Sequence, residues 1–321
     1  MKWNHGFVRR RALGTAAILL ALGAAGSAQA NVIAVSIDTI SSFFFAGGGN
    51  VTEANPNSTA SDSANFTGFV TQSNSATCPP GAVGPPPCNP GGLSANPNQA
   101  TSGTGPFPGQ DTYTQPPAGG FVGSRGDANV TSVSFSQFGA GAQNVAETRL
   151  NAGAIGGANG TNHISTTLQI NIPSTSTQAI TFTFTADPFL QANVDQAGEN
   201  AFAQIAVGIS LLSGATTVFN WTPGVTAGQI GVAAETDPFS LNQSLNVTSP
   251  AGNTTVNPSA GNFSGTSVGL GPGTYTLNID VSETVRGLQL QGAVVPEPSP
   301  LLLLLAGLAG LAGARRTRHG T

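Results

Sequence analysis

From about residue 130 onward the apolar positions fall on every second residue. Leu168, Ile170 and Ile172 alternate with Gln169 and Asn171, and Ile180, Phe182 and Phe184 alternate with Thr181, Thr183 and Thr185. Ile205, Val207, Ile209 and Leu211 share one face, opposite Gln204, Gly208 and Ser210. Val133 with Phe135, Leu245 with Val247, the series Tyr275, Leu277, Ile279, Val281, and Leu288 with Leu290 repeat the pattern. A period of two is that of a strand with one buried face. Gly, Pro, Asn and Asp turns separate the runs, so the expectation is an all-β domain over 125–292, a β-sandwich or jelly roll. Amphipathic helices for a parallel α/β fold are wanting. Only 192–211 has a helix-like composition, and strand is favoured there from Phe202 on.

The front of the chain reads differently. Residues 32–45 are strand-like, with Val32, Ile33, Val35, Ile37 and Ile40 followed by Phe43-Phe44-Phe45. Residues 47–120 carry few large apolar groups and many prolines. Such a stretch buries too little surface to offset its ordering entropy, so irregular loops or disorder are expected. Residues 31–124 are therefore taken as one N-terminal strand plus a Pro/Gly/Asn-rich, loop-rich, partly disordered region. Within it, Cys78-Pro-Pro-Gly-Ala-Val-Gly-Pro-Pro-Pro-Cys88 places the chain's two cysteines around a rigid loop. A Cys78–Cys88 disulfide would contribute roughly 2–3 kcal/mol by constraining the unfolded chain; two free thiols are the alternative. Asp187-Pro188-Phe189 and Asp237-Pro238-Phe239 each read as a turn whose Phe packs back on a sheet.

Charge changes the picture at the ends. Residues 1–30 and 296–321 hold seven of the ten basic residues, leaving 31–295 with 13 acidic residues against Arg125, Arg149 and Arg286, a net charge of −10. That section has no basic patch to neutralise phosphates, which excludes a nucleic-acid partner. Charged residues are 7% of the chain, against about 25% in an ordinary globular protein. Lys2, Arg9, Arg10 and Arg11 precede an apolar stretch at 12–26 and the small-residue site Ala28-Gln29-Ala30. This is the layout of a signal peptide over 1–30, cut between Ala30 and Asn31 by signal peptidase after handling by the export machinery. As a helix, 12–26 would cover only about 22 Å, short of a bilayer core.

The C-terminus has three parts in order: Val295-Pro296-Glu297-Pro298, an apolar run at 301–314, and the basic stop Arg315, Arg316 and Arg318. The cations favour retention at the cytoplasmic face, with the body outside. This tail, over 293–321, resembles the PEP-CTERM sorting signal of Gram-negative bacteria. The resemblance implies a partner, exosortase, that cleaves near Pro-Glu-Pro. It also implies an inner-membrane-inserted precursor held by the C-terminal transmembrane helix, and a mature form at the cell surface or in extracellular matrix, commonly beside exopolysaccharide. It assigns no chemistry to 31–295. The run of 14 residues is short for a span and must thin the bilayer or sit shallow; a tail anchor that is never cut is the alternative.

Catalytic candidates are few. His163 is the one histidine left after processing, and it reads as a polar residue at a strand edge rather than a base. The mature chain has no Gly-x-Ser-x-Gly elbow. No cofactor is implied. Asp187, Asp195, Glu199, Glu235 and Asp237 could converge at one end of a sandwich. They would then form a glycosidase pair or bind Ca²⁺, although solvated turn acids are the simpler reading. With only Trp221 left after processing, a sugar-stacking platform is thinly supplied. The expected function is therefore that of a non-enzymatic exported envelope or matrix protein, structural, adhesive or exopolysaccharide-associated. The alternative is a secreted carbohydrate-active hydrolase or a calcium-dependent glycan-binding protein using acidic residues.

Overall fold

The computed structural model describes residues 31–47, 51–78, 100–101, 122–132, 135, 139–150, 155–173, 177–248 and 252–290. The alternating runs become strands. In chain order these are β1 (Val32–Gly47), β2 (Thr52–Phe66), β3 (Gln72–Cys78), β4 (Ala100–Thr101), β5 (Gly123–Ser132), β6 (Ala140–Leu150), β7 (Gly156–Ile172) and β8 (Ile180–Val194). They continue with β9 (Asn200–Ser213), β10 (Thr216–Thr222), β11 (Val225–Ile230), β12 (Val232–Thr236), β13 (Gln243–Thr248), β14 (Gly252–Val256), β15 (Gly261–Ser267) and β16 (Gly273–Gln289). One antiparallel sheet runs β12-β15-β8-β1-β6-β5-β4, with β14 also on β8; the second runs β11-β10-β9-β16-β7-β2-β3, with β13 also on β9. The two stack face to face, β1 over β9 and β16, β6 over β16 and β7, β5 over β7 and β2. The expected all-β sandwich is what the chain forms.

Strand β1 is internal to its sheet, between β6 and β8. Its inward residues are Val32, Ala34, Ser36, Asp38 and Ile40. The register then slips at Ser41–Ser42, where Ser42 takes a left-handed φ of 54°. This bulge resets the alternation, so that Phe43 and Phe45 point inward instead of Phe44. The inward rings gather in one part of the core. Phe43 stacks on Phe184 at 5.3 Å, Phe184 on Phe263 at 5.1 Å, and Trp221 lies 5.7 Å from Phe184. Trp221 is fully buried over the Gly265 backbone, so it offers no sugar-stacking surface.

Elsewhere the sheets come too close for large side chains. A Cβ on Gly126 would lie 2.1 Å from the Thr161 carbonyl oxygen, and one on Gly160 would lie 2.2 Å from the Arg125 carbonyl oxygen. Ala60, Ala64, Ala128 and Ala146 supply the buried positions around them. Here β5 and β7 pack backbone against backbone.

Three expectations need correction. Residues 52–66 and 72–78, read as irregular, are strands β2 and β3, with β2 lying between β7 and β3. The inward side chains of β2 are Ser58, Ala60, Asp62 and Ala64, small enough for the close sheet spacing but giving no apolar signal, with Phe66 the one large apolar group at the end. Strands on both sides of the expected 124/125 boundary share both sheets. Finally, Asp187-Pro188-Phe189 is not a turn but lies within β8. β15 covers β8 at 181–186 and β14 covers it at 190–194. Pro188 sits in the gap between them, where that edge of the ladder is already open. Asp237-Pro238-Phe239 does turn, and Phe239 packs edge-on against Phe263 at 5.1 Å. The strand favoured from Phe202 on is β9. The rest of the expected loop region, 79–99 and 102–121, lies outside the described residues.

Replacing Gly160 with Val should destabilise the protein by roughly 3 kcal/mol or more, because backbone blocks the new side chain. Gly208→Ala, whose Cβ would meet nothing within 4 Å, is the control. Urea unfolding of both reads the difference, and equal midpoints would contradict the close approach.

Candidate functional site

Two buried polar clusters and two pairs of acids near turns account for most of the ionisable chemistry among the described residues. The first cluster is on the face of β6 turned away from the second sheet, alternating with the core residues Ala142, Ala146 and Leu150. Arg125 and Glu147 are register partners, as are Val35 and Glu147. Arg125 Nε donates to Glu147 Oε2 at 2.9 Å, its Nη1 reaches Asp127 Oδ2 at 3.5 Å, and Arg149 Nε donates to Glu147 Oε1. None of these side chains is more than 7% exposed. Two cations and two anions leave the cluster neutral, which is the condition under which buried charge is tolerated. Beside it, Val35, Ile37 and Val145 form a small apolar cluster with Ile33 and Phe189. Two of the three arginines between 31 and 295 are used here; the third, Arg286, lies 5.8 Å over the Phe202 ring.

The second cluster lies between the sheets. Asp62, Asn162 and Glu283 are successive partners across β2, β7 and β16, all inward-facing. In the other sheet Asp38 pairs with Asn144, again inward. Asn162 Nδ2 donates to Glu283 Oε2 at 2.8 Å, and Ser36 Oγ donates to the Gln204 carbonyl at 3.1 Å. Burial raises the Asp38 carboxyl to about 7, with the Asp187 charge adding to it and the Thr39 amide offsetting part of it. Burial likewise holds Glu283 well above the carboxylate range, against the Asn162 hydrogen bond, with Asp38 adding repulsion. These acids are sealed from solvent. One register row away, Ile40, Phe43, Val130, Phe135, Ile164 and Val281 line an apolar cavity of about 30 Å³. Thr166 is the polar side chain on its walls, and its hydroxyl is already engaged with Ser58 Oγ at 2.7 Å.

The five acids singled out from sequence do not converge at one end of the sandwich: Asp195 lies with Glu199, Glu235 with Asp237, and Asp187 is apart. Asp187 is exposed in mid-strand on β8. Asp195 and Glu199 close the β8–β9 turn, where Glu199 Oε2 accepts from the amides of Asp195 and Gln196 at 3.2 and 2.9 Å. Asn31, the expected first mature residue, donates to Asp195 Oδ2 at 3.2 Å. Asp237 belongs to another group. It accepts from the Gly224 amide at 2.7 Å, while Glu235 accepts from Gln229 Nε2 at 2.5 Å. Burial, and then the neighbouring Glu235, raise the Asp237 carboxyl against the Gly224 hydrogen bond. Among the described residues no group of three or more His, Cys, Asp or Glu is placed to hold a metal ion.

His163 is not at a strand edge. It is half-exposed in the middle of β7, with Nε2 3.2 Å from Asp280 Oδ1. That contact is the main reason the Asp280 carboxyl is held below its ordinary value. Ser61 and Ser282 flank His163 in register, but β7 is laddered on both sides, so its amides are not free to form an oxyanion hole.

Ala28, Ala30, Cys88, Val295, Pro296, Glu297, Pro298, Arg315, Arg316 and Arg318 lie outside the described residues, as does the Cys78 side chain. No helix among the described residues is long and apolar enough to cross a membrane. The fold defines the class as a two-sheet antiparallel sandwich. Comparison with protein-family models, curated proteins and solved structures gives no match.

Both clusters yield measurable expectations. Glu147→Gln leaves Arg125 and Arg149 without their shared anion and should cost roughly 3–5 kcal/mol in urea unfolding; a loss under ~1 kcal/mol would mean the cluster is not buried as described. For Asp38, the folded value is raised above the unfolded one. The unfolded chain therefore releases its proton first, and this contribution to stability is greatest below about pH 4 and is lost between about pH 4 and 7. In Asp38→Asn the change in stability from pH 4 to pH 8 should be more favourable than in wild type by roughly 2–4 kcal/mol. Identical pH profiles would refute a buried Asp38.

Proposed function

We propose that this is an exported, non-enzymatic envelope or matrix protein of a Gram-negative bacterium, inserted in the inner membrane as a precursor and processed by exosortase. The observation that carries the reading is the ordered tail: Val295-Pro296-Glu297-Pro298, the apolar run at 301–314, then Arg315, Arg316 and Arg318, opposite an N-terminal signal ending at Ala30. The arrangement of the body supports it. Asp38, Asp62 and Glu283 are shut inside, and the five acids singled out from sequence fall in three separate places with at most two together, which supports a structural body over a hydrolase. The outward faces of β7 and β16 carry Thr161, Ser165, Thr167, Thr276, Asn278 and Thr284, uncharged hydrogen-bonding groups suited to a hydrated polysaccharide setting.

The test is Pro296-Glu297-Pro298→Ala-Ala-Ala in the producing bacterium. The apolar run is untouched, so insertion should persist while processing stops. Wild-type mature protein should then begin at Asn31 and end near residue 295 by intact mass, while the variant accumulates full-length at the C-terminus in the inner membrane. Equal masses and equal membrane fractions would leave the tail as an anchor only.

A further inference from the structure

The sandwich begins and ends at one pole. Val32, at the start of β1, pairs with Leu150 and Val194. A Cβ on Gly287, two residues from the end of β16, would lie 3.2 Å from Val32 and 3.4 Å from Leu150. Four of the exposed large apolar side chains among the described residues lie at the same pole. Phe69 is 45% exposed, Val70 84%, Ile155 52% and Leu288 41%. They sit at the ends of three neighbouring strands, β2, β7 and β16. The loop after β2 is held rather than loose. Phe69 N donates to Phe66 O at 2.9 Å across Gly68 with φ 88°, the two rings stack at 5.4 Å, and Thr67 N donates to Gly157 O at 2.9 Å. Leu288 is the register partner of Gly157, and Ile155 precedes Gly156. At the opposite pole, where Ile180 pairs with Gly47, the exposed large apolar side chains among the described residues are Ile230 and Val268.

We infer that Phe69, Val70, Ile155 and Leu288 form a membrane-contact surface that seats the sandwich on the bilayer carrying its own tail. The inference rests on the membrane-tail reading above and adds to it an orientation and a lipid-binding face. The occupant follows from the connections. Only residues 290–300 separate Gln289 from the apolar run, a reach of at most roughly 40 Å even when extended. Asn31, the residue that follows the expected export signal, is at the same pole, hydrogen-bonded to Asp195. A domain tethered so briefly presents this pole to the headgroups, and an aromatic ring with aliphatic neighbours on a fixed turn suits that interface.

The test uses the full chain in phosphatidylcholine–phosphatidylglycerol vesicles containing headgroup-nitroxide lipid. An environment-sensitive fluorescent amino acid is installed at position 70 in one sample and at position 268 in another. Quenching should be about threefold or more stronger at 70 than at 268. With the label at position 155 instead, Phe69→Ser/Val70→Ser should lower quenching while the protein still floats with the vesicles. Equal quenching at 70 and 268 in floating protein overturns the docking surface and leaves the tail reading standing. Failure to float overturns both. Concentration-dependent shielding of position 70 in lipid-free detergent would assign the patch to a second copy of the chain, against the inference.

Discussion

The close approach of the two sheets at Gly126 and Gly160 governs how the rest of the core is built. With carbonyl oxygens occupying the places where Cβ atoms would stand at these two glycines, the inward positions around them are held by Ala60, Ala64, Ala128 and Ala146. Small side chains bury little apolar surface each, so this part of the sandwich gains less from burial than the aromatic part around Phe43, Phe184, Trp221 and Phe263. The Arg125–Glu147–Arg149 cluster with Asp127 lies on the outer side of the same strands. It fixes β5 against β6 in one register, because a slip would leave buried charges unpaired.

This explains which strands could be read from the sequence. β8, β9 and β16 were legible because Ile, Val, Leu and Phe mark every second residue, and β7 because its second half does the same. β2, β5 and β6 were not, since apart from Phe66, Val130 and Leu150 near their ends their inward positions are mostly Ser, Ala, Gly, Asp, Asn and Thr, which resemble loop composition. Pro188 misled for a different reason. A proline signals a turn unless the neighbouring ladder is interrupted, and that interruption comes from β14 and β15, some 65–75 residues later in the chain.

The acids were misread in a related way. Attention went to turn acids, whereas the most perturbed carboxyls lie in strands, at positions that continue the apolar parity. Glu283 follows Tyr275, Leu277, Ile279 and Val281 in phase, and Asp38 follows Val32, Ala34 and Ser36. A carboxylate on the buried parity was the available signal. No such signal marked Arg125 against Glu147, since only the pairing of β5 with β6 joins them. The resulting body buries Asp38, Asp62, Glu283 and the Arg125–Glu147–Arg149 cluster, and gathers the start of β1 and the end of β16 at one pole.

The central claim is that 31–289 closes as one sandwich in which β5 and β6, poor in large apolar residues, are as firmly held as β7 and β16. Hydrogen exchange on the full-length protein tests it most directly. The account predicts that amides of β5 and β6 exchange in the same slow class as those of β7 and β16, through a shared global opening. Exchange of β5 and β6 faster by orders of magnitude, while β7 and β16 stay protected, would contradict it.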